Sequence, residues 1–465
     1  MSDVAAATAD AADGADIADD GALVAPVSSL YRNYVLWLLL LVYVVNFLDR
    51  QVINILAPDI KRDLNLSNTE VGLLSGFAFG IVYTILGFPL ARAADKYNRS
   101  WIISGCLAAW SGFTAVCGLA QNFVQLAAAR AGVGIGEAGC TPTSHALIAD
   151  YSPKEKRASA LAFYAMGTPI GSLLGLAIGG YLVEAFNWRI AFMVAAAPGL
   201  LLAVICLFTL REPRDMFAAE AKRLAANAAA AAQSATATFG ETFKYLRGKQ
   251  AFWLLAFGAG IRSFLGYGHA PFTAIFFLDS HGPEITALAN NFGMGPKTFL
   301  GLTMGILGGI SGAAGSWLGG QIADRLGKKD LRAYGSVPAI ATLIAAPVSI
   351  FIYLTDSGLA ALLLGIVPGL LGTLWYGPVY SSAQGMVPQH MRATSASLML
   401  FVINFLGLVM GALCIGALSD IIEAVFHLSE SEAMRWTLVW STAGGMISVL
   451  LFWLARRRVR EDMVS

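Results

Sequence analysis

Long apolar stretches separated by short polar connections run along most of the chain. A helix that spans a bilayer needs about 20 mostly apolar residues, and twelve stretches reach that length. The six in the first half are 34–57, 68–91, 100–120, 123–148, 158–183 and 189–210, and the six in the second half are 251–278, 298–323, 332–354, 358–386, 393–422 and 435–455. Ser67 and Glu70 have the spacing of a capping box, which predicts the start of the second span. The pattern predicts an all-α membrane protein of twelve transmembrane helices, six in each half of the chain.

Composition supports a location in lipid. The 465 residues are 57% hydrophobic and 13% charged, whereas soluble domains carry about 25% charged residues. A soluble protein of this composition would expose large apolar patches. The net charge of +1 gives no long-range attraction to nucleic acid. Five cysteines lie in apolar stretches without C-x-x-C spacing, so we expect neither a disulfide framework nor a metal or cofactor site.

The distribution of lysine and arginine predicts the orientation of the chain. With the N-terminus inside, 23 of the 31 basic residues fall on that side and 5 on the other, and the remaining 3 lie within spans. Positive residues accumulate on the cytoplasmic side of membrane proteins. We therefore predict cytoplasmic termini, an even number of spans and a multi-pass protein of the inner (plasma) membrane.

The predicted organisation has five segments. A disordered acidic tail, 1–30, precedes a first bundle, 31–210; a cytoplasmic linker, 211–250, leads to a second bundle, 251–456, and a short tail, 457–465. The tail lacks the basic start and apolar core of a secretory signal. In the linker, the alanine-rich stretch 225–237 is expected to be coil or loose helix. The stretch 241–249 mixes aromatic and basic residues, which suits either a helix on the inner membrane face or a solvated connection.

Two local sequences recur in the second half at nearly constant offset. The segment from Ala91 to Arg99 resembles the one that begins at Gly320, and their aspartates, Asp95 and Asp324, lie 229 positions apart. A second pair of segments begins with prolines 153 and 388, which are 235 positions apart. Two pairs of similar segments with nearly the same separation indicate two six-span halves that are related as parallel repeats.

These segments resemble motifs of the major facilitator superfamily. The loops around Asp95 and Asp324 are similar to its G-x-L-A-D-R-x-G-R/K loop, although the first copy has Ala91 and Asn98 in place of glycines. The fourth span, from Arg130 to Glu137, is similar to its R-x-x-x-G-x-G-E-A motif. The resemblance covers about residues 31–460 and implies the superfamily's fold of two six-helix bundles.

The first span narrows the resemblance to one group. Asn46, Asp49 and Arg50 form an N-x-x-D-R signature similar to that of the Spinster group, which also has the arginine and glutamate of the fourth span. This resemblance implies secondary transport of lipid-like amphiphiles, such as lysolipids and sphingosine phosphate. Bacterial relatives of unknown substrate share these motifs, so the substrate follows less securely than the fold.

Ionisable residues inside spans cost about 2.5–3.5 kcal/mol each, and Asp49, Arg50, Arg130 and Glu137 therefore need partners or water. Arg130 and Glu137 lie on one helix face about 10 Å apart, too far for a direct bond. Asp49 would form an opposite pair with Arg130, and Glu137 would either pair with Arg50 or stay protonated. Burial favours a protonated carboxyl group and a nearby guanidinium an ionised one. Asp49 and Glu137 therefore either carry coupled protons, with Arg130 changing partners, or belong to a static network.

Charges at the inner helix ends predict a gate. Asp95, Arg99, Asp324 and Arg325 recur in both halves and, in the family that they resemble, lie at inner helix ends. The alternative interpretation is that they only orient the chain, but acidic residues contribute little to orientation. We therefore expect these four residues to lock the inner face when it is shut.

Glycines spaced four residues apart occur in spans two, five, eight and eleven. Small residues at this spacing let helices approach closely, which permits either sliding or static packing. The series are Gly72, Gly76 and Gly80; Gly171, Gly175 and Gly179; Gly301, Gly305 and Gly309; and Gly407 and Gly411.

Substrate contacts are predicted from polar-tipped and aromatic residues within spans. The candidates are Tyr83, Arg262, Tyr267, His269, Trp375 and Tyr376. Arg262 is the candidate for an anionic head group. For each residue, packing or anchoring at the membrane interface is the alternative.

The combined prediction is a monomeric, proton-coupled secondary transporter that works by alternating access and moves a small amphiphilic or lipid substrate across the bilayer. The alternative within this class is a multidrug exporter or an organic-anion permease. A lipid-modifying enzyme is disfavoured because the five histidines are scattered. A sensor without transport is a further alternative, and drive by ATP is not expected because no phosphate-binding loop occurs.

Overall fold

The computed structural model describes residues 27–213 and 239–464, and all regular elements in these ranges are helical. Spans 1 to 6 are Ser29–Leu64; Asn68–Gly72, Leu73–Phe77 and Ala78–Lys96; Arg99–Cys117; Phe123–Ala138 and Cys140–Tyr151; Lys154–Ala165 and Gly167–Ala185; and Trp188–Thr209. A linker helix, Phe239–Arg247, precedes the second half. Spans 7 to 12 are Gln250–Asn291; Pro296–Gly327; Ala333–Leu354; Gly358–Leu364, Ile366–Leu371 and Tyr376–Gly385; Arg392–Asn404, Phe405–Val409 and Gly411–Phe426; and Glu430–Gly444 and Ile447–Asp462.

The predicted all-α membrane architecture is confirmed. Ten helical stretches in the described residues are long and apolar enough to cross a membrane. Spans 4 and 7 are not among them; both carry polar residues, which include Arg130 and Glu137 in span 4 and Arg262 in span 7. The count of twelve spans is compatible with this arrangement and stays a prediction.

Some predicted helix boundaries agree with the structure, and in other places the helix extends beyond its predicted end. Ser67 and Glu70 form the predicted capping box. Span 7 runs to Asn291, beyond the predicted end at 278, with a kink at His281. The linker contains a helix where the mixed aromatic and basic pattern occurs. Residues 1–26 and the alanine-rich stretch 225–237 lie outside the described residues.

The four series of glycines lie where neighbouring spans pack closely together. A Cβ atom at Gly76 would lie 2.9 Å from the carbonyl oxygen of Leu408, so span 2 packs against span 11. A Cβ atom at Gly305 would lie 2.9 Å from Leu173, so span 8 packs against span 5. The two series lie 229 positions apart, as Asp95 and Asp324 do.

The other two glycine series face spans of their own half. Cβ atoms at Gly171 and Gly175 would meet backbone of span 1, and Cβ atoms at Gly407 and Gly411 would meet backbone of span 7. Gly171 and Gly407 lie 236 positions apart, and so do Gly175 and Gly411. The packing therefore follows the repeat: the glycine series of spans 2 and 8 face the other half, and Gly180 of span 5 and Gly416 of span 11 add one close approach each to the start of spans 8 and 2.

We call the side that the basic residues predict to be cytoplasmic the inner side and the opposite side the outer side. Toward the inner side, the close contact between the halves loosens. A Cβ atom at Gly309 would lie 3.5 Å from the carbonyl oxygen of Pro169, and one at Gly87 or Gly308 would have no neighbour within 4 Å. Close packing between these spans is thus concentrated toward their outer ends.

Candidate functional site

Spans 1 and 4 place a buried ion pair in the first half. Arg50 Nη2 lies 2.6 Å from Glu137 Oε2 and donates a hydrogen bond to it. The side chain of Glu137 is 0% exposed and that of Arg50 is 10% exposed. Of the two states that the sequence left open for Glu137, the structure shows the pair with Arg50.

Aromatic rings surround the Arg50 guanidinium. Its carbon lies 5.0 Å from the ring centres of Phe47 and Phe79 and 4.9 Å from that of Tyr83. Cations over ring faces are stabilised by the ring quadrupole. The rings come from spans 1 and 2, so Tyr83, predicted as a substrate contact, belongs to the surroundings of Arg50.

Asp49 and Arg130 do not form the predicted ion pair in this structure. Asp49 Oδ2 accepts a hydrogen bond of 2.9 Å from Thr114 Oγ1 in span 3. Arg130 Nε donates to the carbonyl oxygen of Leu74, at 3.4 Å. The Arg130 guanidinium also lies 5.2 Å from the centre of the Phe79 ring, which it shares with Arg50. Both side chains are buried to 1% exposure.

Unused hydrogen-bonding atoms remain in this cluster. Among the described residues, Asp49 Oδ1, Glu137 Oε1 and Arg130 Nη2 are buried without a hydrogen-bond partner. Buried polar atoms without partners are costly. Each carboxylate thus has an oxygen that can take a proton, and Arg130 has a donor that can take a new acceptor. We call Asp49, Arg50, Arg130 and Glu137 the charge cluster.

The second half holds the remaining substrate candidates. Trp375 stacks on Tyr376 with ring centres 4.0 Å apart. A Cβ atom at Gly372 would lie 2.7 Å from Arg262 Nη2, so the guanidinium packs closely against the backbone at this glycine. Arg262 Nε has no hydrogen-bond partner in the described part of the chain. Arg262 thus keeps hydrogen-bonding capacity for an anionic group.

His269 and Tyr267 lie in the same span with different surroundings. His269 Nδ1 lies 3.0 Å from the Tyr353 hydroxyl and Nε2 lies 2.9 Å from the Ser441 hydroxyl. Both ring nitrogens therefore connect spans 7, 9 and 12, so His269 has a packing role in this structure. Tyr267 is half-buried beside the core.

The described side chains of the predicted inner gate, those of Arg99, Asp324 and Arg325, do not join the two halves. Arg99 Nη1 bonds to Asp150, and its Nε donates to the carbonyl oxygen of Ala94, all within the first half. Asp324 and Arg325 are exposed at the inner end of span 8. Asp95 has helical backbone, and its side chain lies outside the described residues.

At the opposite face, a carboxylate of each half binds the helix start of the other half. Asp420, near the end of span 11, accepts hydrogen bonds from the backbone nitrogens of Asn68 and Thr69, at 3.1 and 2.8 Å. It also accepts one from Thr69 Oγ1, at 2.5 Å. The first turn of span 2 is thus capped by a residue of the second half, where the helix dipole favours negative charge.

Glu184, at the end of span 5, makes the equivalent contact with span 8. Its Oε2 accepts from the backbone nitrogens of Lys297 and Thr298, at 2.8 and 3.0 Å, and from Thr298 Oγ1 at 3.3 Å. Thr69 and Thr298 lie 229 positions apart, and Glu184 and Asp420 lie 236 apart. We call these two contacts the outer clamps. They were not predicted from the sequence, although the constant offset of the repeat could have revealed them.

Two ion pairs between the halves accompany the outer clamps. Lys61 of span 1 pairs with Glu430 of span 12. Lys297 Nζ lies 2.6 Å from Asp59 Oδ1 of span 1. Between the residues that the structure describes, the hydrogen bonds and ion pairs that join the halves lie at this outer face.

Known proteins share this fold and much of its sequence. The profile of the Major Facilitator Superfamily matches residues 39–413. An MFS-type efflux pump of Mycolicibacterium smegmatis is 30% identical over 92% of this chain and 93% of its own length. Protein spinster homolog 1 of Xenopus laevis is 26% identical over 94% of this chain and 84% of its own length.

Among solved structures, a bacterial homologue of the human lysosomal transporter Spinster, in an inward-facing and unoccupied conformation, is similar throughout. Its TM-score is 0.81 at 28% identity, and the match covers 94% of this chain and 100% of that chain. The matched family profile covers more than half of the chain. The protein is therefore a multi-pass membrane transporter that belongs to the Major Facilitator Superfamily, with a Spinster-like structure.

Proposed function

We propose that the protein is a proton-coupled secondary transporter of the inner membrane that works by alternating access and moves a lipid-like amphiphile. The observation that carries this proposal is the buried charge cluster of Asp49, Arg50, Arg130 and Glu137. Ionisable groups at such positions are expensive and mark ion or substrate pathways. The membrane potential alone supplies about 2.3 kcal/mol per charge per 100 mV, which corresponds to about a fiftyfold concentration ratio.

The contacts of the cluster suggest how a proton is coupled to movement. Ionised Glu137 holds Arg50, so protonation of Glu137 would weaken the pair and free the guanidinium. Arg130 has an unused donor through which it can bond to Asp49 when the packing changes. In this scheme, the four groups exchange partners as the protein changes conformation.

The contacts between the halves support an assignment of this conformation as inward-facing. Both outer clamps are formed, and the inner-gate residues Arg99, Asp324 and Arg325 make no described contact with the opposite half. The similar Spinster homologue is also described as inward-facing. Alternating access would require the outer clamps to open as the inner gate forms.

The substrate class rests on the second half and on the Spinster-like structure. Arg262 has an unpaired buried nitrogen, and Tyr376 is close enough to interact with it electrostatically. Trp375, which is buried in the core of the second half, stacks on Tyr376. A guanidinium close to an aromatic side chain suits an anionic head group that continues into an apolar chain. This combination favours a lysolipid or sphingolipid-type substrate.

The test is uptake of labelled lysolipid into proteoliposomes with and without an imposed pH step. We expect the step to drive uptake by the parent protein, and Glu137→Gln and Asp49→Asn to abolish that response. Glu461→Gln is a control because Glu461 forms a surface ion pair with Arg458, at 2.8 Å. Full gradient-driven uptake by both charge-cluster variants would contradict proton coupling through these residues.

A second candidate function is the export of drugs or organic anions. The efflux pump that is 30% identical over most of the chain favours this alternative. The same proteoliposomes, offered labelled drugs and organic anions in place of lysolipid, distinguish lysolipid transport from this alternative. Uptake driven by the pH step for a drug or an organic anion, but not for lysolipid, would favour the exporter.

A further inference from the structure

The linker helix Phe239–Arg247 shows three strips of different chemistry around its circumference. Successive residues turn by about 100°, which groups the side chains by their positions. Thr242 and Leu246 form a strip that is buried against the protein. The next strip holds Phe239 and Phe243, 59% and 40% exposed. The strip beyond it holds two exposed basic residues, Arg247 and Lys244. The exposed Glu241 follows Lys244 around the helix, on the side away from the aromatic rings.

The aromatic strip continues onto the outer surface of span 7. The Phe239 and Phe243 rings stack with centres 6.3 Å apart, and Phe243 meets Trp253 edge-on at 5.9 Å. Trp253 in turn lies 6.2 Å from Phe257, which is 45% exposed. The exposed rings of the linker helix are therefore continuous with a surface that faces lipid.

One contact joins the linker helix to span 7, and a second joins the start of span 7 to the end of span 12. Trp253 Nε1 donates to the carbonyl oxygen of Leu246, at 3.0 Å. The backbone nitrogen of Ala251 donates to Asp462, at the end of span 12, at 2.7 Å. The helix thus lies at the level of the chain's C-terminal end, on the side that the basic residues predict to be cytoplasmic.

We propose that the linker helix lies on the inner surface of the membrane and binds anionic phospholipid head groups. Phe239 and Phe243 enter the interface, where aromatic rings are favoured, and Lys244 and Arg247 contact the phosphates. The order of the strips, from protein through aromatic rings to basic residues, matches the path from the bundle to the head groups. The proposal does not depend on the transported substrate.

The test measures which lipid lies next to the helix. The protein, with its native cysteines replaced, carries a bimane probe on Gly240→Cys, since Gly240 is exposed and has no neighbour within 4 Å of a Cβ atom. Nanodiscs of phosphatidylcholine contain a fixed fraction of either nitroxide-labelled phosphatidylglycerol or nitroxide-labelled phosphatidylcholine. Both faces of a nanodisc are accessible, so orientation does not affect the result.

We expect stronger quenching by labelled phosphatidylglycerol than by labelled phosphatidylcholine. Each basic residue near the surface contributes about a fivefold preference, equivalent to ~1 kcal/mol. Lys244→Gln with Arg247→Gln should therefore bring the two lipids close to equal quenching. The matched control, Lys328→Gln with Lys329→Gln, removes two exposed charges of the loop between spans 8 and 9 and should keep the preference.

A second pair of variants tests the aromatic strip. Phe239→Ser with Phe243→Ser should reduce quenching by both labelled lipids, because the helix loses its insertion into the interface. Negligible quenching of the parent by either lipid would show a solvated linker and overturn the proposal. Equal quenching of the parent by both lipids would overturn the head-group preference, and so would a preference that persists without Lys244 and Arg247.

Discussion

Removal of the outer clamps should open the outer face. Asp420→Ala deletes three hydrogen bonds between its carboxylate and the start of span 2, and Glu184→Ala deletes the three that reach span 8. When the face opens, water replaces these partners, so each bond counts for about 1 kcal/mol net. One clamp is then worth about 3 kcal/mol, roughly a hundredfold change in the ratio of closed to open outer face.

The two clamps should act additively because they cap different helices. Distant sites usually add to within about 0.5 kcal/mol, so the double variant should shift the equilibrium by about 6 kcal/mol. A shift of about 5.5 kcal/mol converts a population of 99:1 into 1:99. The double variant should therefore be mostly open at the outer face, and each single variant should lie between the two.

The assay is a spin-label distance between the outer ends of the halves. Gln121, between spans 3 and 4, and Asn291, at the end of span 7, are both exposed and suit labelling after replacement of the native cysteines. Asp63→Ala is the matched control. Asp63 accepts hydrogen bonds from Trp188 and Arg189, at 3.1 and 2.6 Å, within its own half. The reasoning is refuted if the double variant keeps the parent's distance distribution.

Three further predictions concern the charge cluster, the packing between halves and the response to acid. Arg50→Met leaves its buried carboxylate partner unpaired and should lower the free energy of unfolding by about 3–5 kcal/mol, measured as a lower midpoint in denaturant. Gly72→Ala pushes span 2 against backbone of span 11 and should cost the outward-closed state about 1–3 kcal/mol. Gly105→Ala has open space, so it should leave the spin-label distance unchanged and should not lower the free energy of unfolding, since alanine inside a helix is favoured over glycine. The backbone N–H of Arg332 lowers the pKa of Asp330, which lies in the loop between spans 8 and 9. That bond stabilises the folded state above about pH 3.9 and is lost as the pH falls through the lower folded-state pKa, so Asp330→Asn should flatten the acid side of a plot of Tm against pH.

The helices and the repeat could be predicted from the sequence, but the partner of each buried charge could not. Asp49 and Arg50 are neighbours in one helix, so their side chains diverge by about 100°. The rotation of span 1 about its axis decides which of these two side chains points toward span 4. In the structure, Arg50 points toward Glu137 and Asp49 points toward Thr114 of span 3. The spacing of charged residues within span 4 gives no information about this rotation of span 1.

The outer clamps escaped prediction for a different reason. Asp420 and Glu184 lie near the ends of apolar stretches, where an acidic residue is ordinarily solvated. Most of their partners are backbone N–H groups, which every residue type supplies, so residue identity gives no signal. The glycine series were identified as sites of close approach, yet only the structure shows that the series of spans 5 and 11 face spans of their own half.

Span 5 connects the charge cluster with the opposite half. On one face, a Cβ atom at Gly175 would lie 2.6 Å from the carbonyl oxygen of Leu48, the residue before Asp49. On another face, a Cβ atom at Gly180 would lie 2.5 Å from the carbonyl oxygen of Lys297 in span 8. Backbone in contact on both faces leaves span 5 no side-chain layer that could absorb a displacement. Under the proposed function, a shift of span 1 that follows protonation would therefore move span 5 and strain the clamp that Glu184 makes with span 8.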